Sequence, residues 1–272
     1  MKIIHWILVF VFTALMCAGT LNDFSISLAL FQPDNKAALM LERLGELPGI
    51  ALLVICSMGI CGAIFSLNLH SSLRTALYTG LAAIPMAGGF YILFSRMLRD
   101  AGIGFFPALC TAILLAVFSY CIFIPANRLN PKKVITTCLT GVFCFIGSML
   151  IIGALKTLWG RQRFFSMDDP IAQFTAWYLP QGKARGDEYK SFPSGHACAA
   201  AVLIWWTLLP DCFGKLKKWK PLVWLVFTVY LGITMWSRIA LGRHFLSDVT
   251  AGAGITIAVF YVFKILVKKM WR

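Results

Sequence analysis

Three short stretches of the chain gather residue types that can hold and cleave a phosphate. The first, Lys156 to Arg163, sets three cations in eight residues, with T-L-W-G-R-Q between its ends. The second, Ser191 to Ala197, reads S-F-P-S-G-H-A where a polar loop meets an apolar run. Pro193 suits the first turn of a helix, and the amides that follow would lack intrahelical acceptors, an arrangement that attracts anions. The third, Ser237 to Asp248, reads S-R-I-A-L-G-R-H-F-L-S-D. Asp248 stands four after His244, so its carboxylate reaches the ring from the same face if the backbone is helical there. If the helix begins only at Ser247, Asp248 is a cap instead. Together these stretches offer Lys156, Arg163 and Arg238 as fixed cations, Ser194 with the Gly195 and His196 amides as donors, and two histidines, one beside a carboxylate. That is the inventory of a phosphoryl-transfer site that works without a metal or other cofactor. His196, His244 and Asp248 are also metal-ligating types, but the surrounding cations oppose a divalent ion. Taken singly, each stretch has a plainer reading as a helix cap or a headgroup anchor.

The elements that must bring these residues together are membrane helices. Hydrophobic residues make up 59% of the 272, charged residues only 13%, and mean hydropathy is +0.78. That composition is outside the range of soluble domains. A crossing helix needs about 20 mostly apolar residues. Eight runs approach that length, roughly 3–21, 49–69, 77–98, 103–124, 134–155, 194–210, 222–238 and 247–267. The first has no small-residue cleavage site and reads as a retained span. The predicted fold is therefore an all-α polytopic bundle. Most of the nine cysteines fall inside apolar runs and no CxxC pair exists, so their expected role is packing.

Charge distribution orients the bundle. The net charge is +14. With the N-terminus cytoplasmic, thirteen basic residues and Asp211 alone fall on the inside, against twelve basic and ten acidic residues outside. This is the bias of the positive-inside rule. It places both termini in the cytoplasm and all three clusters at the extracytoplasmic face, and it assigns the excess charge to anionic lipid, with no nucleic-acid partner.

Between the spans, residues 22–48 read as an outer-surface segment at headgroup depth, with Glu42 and Glu46 on a solvated helix face. His5 and His70 read as interfacial residues, and Arg96, Arg99 and Asp100 as a turn at the outer interface. The 164–191 segment reads as an extracytoplasmic loop whose Phe174, Trp177 and Tyr178 suit an interfacial anchor or a gate. Small residues from Thr250 to Gly254 allow the last span to pack closely.

The motifs K-x6-R, P-S-G-H and S-R-x5-H-x3-D, here Lys156 to Arg163, Pro193 to His196 and Ser237 to Asp248, resemble the three signatures of the type 2 phosphatidic acid phosphatase (PAP2) superfamily, which also includes vanadium haloperoxidases. Phe164 stands where the family usually has Pro, and the family's membrane members commonly have six spans. The resemblance implies one membrane-embedded domain over 1–272, with N-terminal spans over 1–133 and a motif-bearing core over 134–267. It further implies that His244 is the nucleophile, that Asp248 orients its ring, and that His196 is the general acid and base. Lys156, Arg163, Ser194, Gly195 and Arg238 would hold the phosphoryl oxygens. The implied activity is hydrolysis of a lipid phosphate or diphosphate through a phosphohistidine, with undecaprenyl diphosphate ranked first and a bacterial inner membrane as the setting. Phosphatidylglycerol phosphate, lipid A phosphates and diacylglycerol diphosphate are further substrates to be expected of such a site. A lipid-to-lipid phosphotransferase and a non-catalytic lipid-binding or transport protein are the alternatives.

Overall fold

The computed structural model describes residues 2–67, 72–99 and 130–270, with short pieces between 104 and 114. Most of the 103–124 run lies outside the described residues, as do His70 and Asp100. The described residues hold helices and loops and no strand, and the main helices are α1 (Lys2–Leu30), α2 (Lys36–Leu44), α3 (Leu47–Ser66), α4 (Ser72–Arg99), α5 (Pro131–Trp159), α6 (Gly195–Ala201), α7 (Lys220–Ala240) and α8 (Leu246–Lys269). Among the described residues, six stretches are long and apolar enough to cross a membrane, Trp6–Leu30, Lys36–Phe65, Arg74–Ser95, Pro131–Ser166, Gly214–Ala240 and Leu246–Lys269.

Two expectations are corrected here. The 194–210 run is not one α-helix: α6 has seven residues and continues as a 3-10 helix over Val202–Leu208. Val202 and Ile204 are β-branched, and Pro210 in the next turn has no N–H to donate, so the α-helical ladder is not sustained. The 22–48 segment does not begin where the first helix ends. Asn22 and Asp23 do not end α1, which runs on to Leu30 before Pro33 and a cap in which Asn35 Oδ1 accepts Ala38 N–H at 3.0 Å.

The chain forms two compact units. One comprises Met1–Gly45, Ser148–Ala201 and Val229–Ile257, and it contains all three motifs. Its core is aromatic: Phe164 meets Phe24, Phe31 and Phe245 edge to face, and Phe174 packs on Phe24 and Phe245. Phe164, at the position where the resemblance would expect Pro, thus ties the first motif to α1, and Phe174, half-buried, packs against that core. A second cluster lays Ala38 of α2 on Ala240 and Leu241 at the end of α7. Gln32 N–H donates to the Ala240 carbonyl (2.7 Å) and Tyr230 Oη to the Gly45 carbonyl (2.7 Å), pinning both ends of the α2 segment. A Cβ at Gly252 would fall on the Ser194 backbone, so the expected close packing of α8 is against the motif loop.

The other unit comprises Glu46–Gly147, Val202–Thr228 and Ala258–Arg272. Here α3 packs on α4 through Gly89, which faces Val54, and Gly59 faces Cys138. Trp205 Nε1 donates to the Thr137 carbonyl at 2.6 Å. Its buried polar residues are Ser57, Thr140 and Thr207 among the described residues.

Candidate active site

The first motif is aimed by a helix end. α5 stops at Trp159, and Gly160 takes φ +64°, the left-handed conformation in which a Cβ would meet the Gly182 carbonyl. The chain then turns Arg161 inward. Its guanidinium is fully buried and donates from Nη1 to Asp248 Oδ1 (2.6 Å) and Ser247 Oγ (2.8 Å), from Nη2 to Asp23 Oδ2 (3.0 Å) and from Nε to the Thr175 carbonyl (3.0 Å). Lys156 Nζ donates to the Lys190 carbonyl at 3.1 Å. Arg163 pairs through Nη1 with Asp187 (2.9 Å), and its Nε is a buried donor with no hydrogen-bond partner. Backbone bonds from Gln181, Ala184 and Ser191 to Trp159, Thr157 and Arg161 fasten the 164–191 loop along the motif.

The second motif enters α6 through a cis Phe192–Pro193 bond. Ser194 is fully buried, with its amide donating to the Asp248 carbonyl (3.0 Å), so that amide is spent inside the protein. Gly195 and His196 open the helix, where first-turn amides lack intrahelical acceptors. His196 Nε2 donates to the Glu42 carbonyl at 2.9 Å.

The third motif leaves α7 by a turn at Gly242, also left-handed at φ +64°, and the amides of Arg243 and His244 both donate to the Arg238 carbonyl. His244 is 2% exposed. Its Nδ1 donates to the Ser191 carbonyl at 2.6 Å, which fixes the proton on Nδ1 and leaves the lone pair on Nε2. Burial pushes this imidazole well below its ordinary 6.5, and Lys156 and Arg238 add to that against the pull of Asp248. Asp248 does both things that its position allowed. It caps α8, with Oδ2 accepting the Phe245 amide at 2.8 Å, and it stands 3.8 Å from His244 Nδ1. That is ion-pair range and too long for a hydrogen bond. Ser191, whose Oγ donates to Asp248 Oδ2 at 2.5 Å and whose carbonyl takes the ring proton, connects the two.

Two participants were not among the expected site residues. Glu42, expected on a solvated face, instead accepts from Arg238 Nη2 (3.2 Å) and Arg243 Nε (2.8 Å). Arg161, counted among the three cations of the first motif, was given no role of its own. The signal for it was Asp23: a carboxylate inside an apolar stretch requires a buried partner. Among the described residues no group of three or more His, Cys, Asp or Glu side chains is placed to hold a metal ion.

An all-helical, membrane-embedded protein that sets cations and a buried histidine around one buried carboxylate is the class the fold and site define. Residues 137–272, half of the chain, match the PAP2 superfamily. The chain belongs to that superfamily and is a membrane protein of phosphatase type. No curated protein and no solved structure matches it.

Proposed function

We propose that the protein is an integral membrane lipid phosphatase that hydrolyses a phosphomonoester or diphosphate through a phosphohistidine on His244. The observation that carries this reading is the fixed tautomer of His244: with Nδ1–H held by the Ser191 carbonyl, Nε2 carries the lone pair, and burial keeps the ring neutral. A neutral, immobilised imidazole is a competent nucleophile.

In the first step Nε2 attacks phosphorus, the bond from phosphorus to the leaving oxygen breaks, and His196 gives that oxygen its proton. The ring becomes positively charged as the N–P bond forms, and Asp248 opposes that charge at 3.8 Å. In the second step His196 takes a proton from water, the hydroxide attacks phosphorus, the N–P bond breaks, and inorganic phosphate leaves. Lys156, Arg163 and Arg238, with Ser194 and the Gly195 amide, stabilise the phosphoryl oxygens in both steps. Glu42 supports the anion assignment, because its carboxylate lies on Arg238 Nη2 and Arg243 Nε, where these arginines already hold an anionic oxygen.

The lysine and arginine bias of the sequence supports an extracytoplasmic site in a bacterial inner membrane, with both termini cytoplasmic. Undecaprenyl diphosphate is the first substrate to test on that basis. The experiment is an assay of the purified protein, in excess chelator, against a panel of lipid phosphates and diphosphates, scoring free and lipid-bound phosphate. Free phosphate from at least one lipid is expected. Label found only on a second lipid would make the protein a phosphotransferase, and no transfer at all would overturn the enzyme reading.

A further inference from the structure

Asp23 is a carboxylate inside the apolar helix α1, 3% exposed, and it stands outside the residues that match the superfamily. An ionisable side chain in a membrane-spanning stretch is costly and is kept where it has a partner and a task. Its partners are at the site. Oδ1 accepts the Ser247 amide at 2.9 Å, and Oδ2 accepts Ser247 Oγ and Arg161 Nη2, the latter at 3.0 Å. Arg161 in turn holds Asp248 at 2.6 Å, so one guanidinium lies between two carboxylates, with its face 4.0 Å from the centroid of Phe245. Phe24, the next residue of α1, packs on Phe164 and Phe174, so the helix is seated on the motif by apolar contact as well.

The charge count of this group is the argument. Arg161 and Asp248 alone would form a neutral pair, and the carboxylate beside His244 would have its charge taken up by a cation at hydrogen-bond distance. With Asp23 on the other side of the guanidinium, the three groups together carry one negative charge. His244 gains one positive charge when its Nε2 binds phosphorus, and the surplus on the trio is opposite in sign and next to it. In a water-poor interior such a charge acts with little screening. Holding α1 in place would not need that charge: the Phe24 contacts involve no ion, and a neutral side-chain oxygen at position 23 could still accept the Ser247 amide.

We propose that Asp23 is a positioning residue of the site, which shares the charge of Arg161 so that Asp248 keeps its own for His244. This makes the first helix a working part of the centre, and it rests on the phosphohistidine reading given above. The test is a cycle of kcat and KM measurements on the full chain in detergent: wild type, Asp23→Asn, Asp248→Asn and the double variant. Loss of an outer partner of a reacting group typically costs roughly tenfold to a hundredfold in activity. Asp23→Asn is therefore expected to lower kcat by about that factor with KM within about twofold, and to cost nothing further in the Asp248→Asn background, because its effect passes through Asp248. Asp23→Glu, which keeps the charge, is expected to recover most of the loss. Equal losses in both backgrounds, or an Asp23→Asn protein as active as wild type, would overturn the proposal while leaving the phosphatase reading intact. If Asp23→Asn does not fold, Asp23→Ser takes its place in the cycle, and failure of both neutral variants to fold overturns the proposal in favour of a structural tie. Wild-type protein that releases no phosphate from any lipid overturns both.

Discussion

The two compact units treat polarity in opposite ways. The motif-bearing unit buries Asp23, Arg161, Arg238, His244 and Asp248, together with Ser191, Ser194 and Ser247. The other unit buries only hydroxyl side chains among its polar residues, within the described chain, and is packed through Gly59, Gly89 and Gly141 against Cys138, Val54 and Trp205. Buried charges are seldom the cheapest way to stabilise a fold, since apolar residues of like volume often do as well or better. Their confinement to one unit therefore marks where the protein needs charge for a purpose other than cohesion. The other unit shows what its helices do when packing is the only requirement: small residues, close approach and backbone-directed hydrogen bonds.

The contrast is broken most severely at His244. His244→Ala is expected to lower turnover on the order of 10⁴-fold or more, because loss of a nucleophile leaves only binding and electrostatic stabilisation. The fold should persist, since the Ser191 carbonyl alone loses its partner; phosphate release and thermal melting of the same sample check both halves.

The pH dependence follows from the same residue. His244 has a pKa well below 6.5 in the folded protein, with burial as the main cause. Between that value and 6.5 the unfolded chain binds a proton that the native protein does not. Stability therefore falls as pH drops through this window, while the nucleophile stays neutral. Phosphate release measured against pH should hold its rate below 6.5 even as the melting temperature declines. Phosphate release that falls together with the melting temperature below 6.5 would show instead that His244 is not held neutral there.

A smaller effect is expected at Glu42, the carboxylate that lies on Arg238 and Arg243. Glu42→Gln keeps the shape and removes the charge. A partly exposed pair of this kind is worth about 1 kcal/mol, so inorganic phosphate should inhibit about fivefold more tightly. Competitive inhibition constants for phosphate in wild type and variant test this; weaker inhibition would mean that Glu42 positions the arginines rather than occupying them.

These residues also show what the sequence could and could not disclose. Lys156, Arg163, Ser194, His196, Arg238, His244 and Asp248 could be singled out as candidates because their types and spacing stand together in three short stretches. The all-helical class was legible from apolar run length. Asp23 and Glu42 were not, since their significance depends on contacts 138 and 196 residues away, to Arg161 and Arg238, which no local pattern encodes. Asp23 was misplaced for a specific reason: Asn22 and Asp23 look like the end of a span, whereas the Arg161 pairing lets the helix continue through them. The 194–210 run was misjudged for another, because hydropathy counts apolar residues and is blind to what Pro210 does to the helix ladder.

The least effect is expected where the other unit is perturbed. Trp205 Nε1–H is its link to the Thr137 carbonyl, and Trp205→Phe removes that donor while keeping an aromatic ring. Hydrogen bonds within membrane proteins average about 0.6 kcal/mol, so the melting temperature should fall by only a few degrees. Because no charged group of this unit is buried among the described residues, kcat should stay within about twofold of wild type. A Trp205→Phe protein that melts normally and turns over tenfold more slowly would show that chemistry draws on both units, and the division between them would have to be redrawn around Thr137.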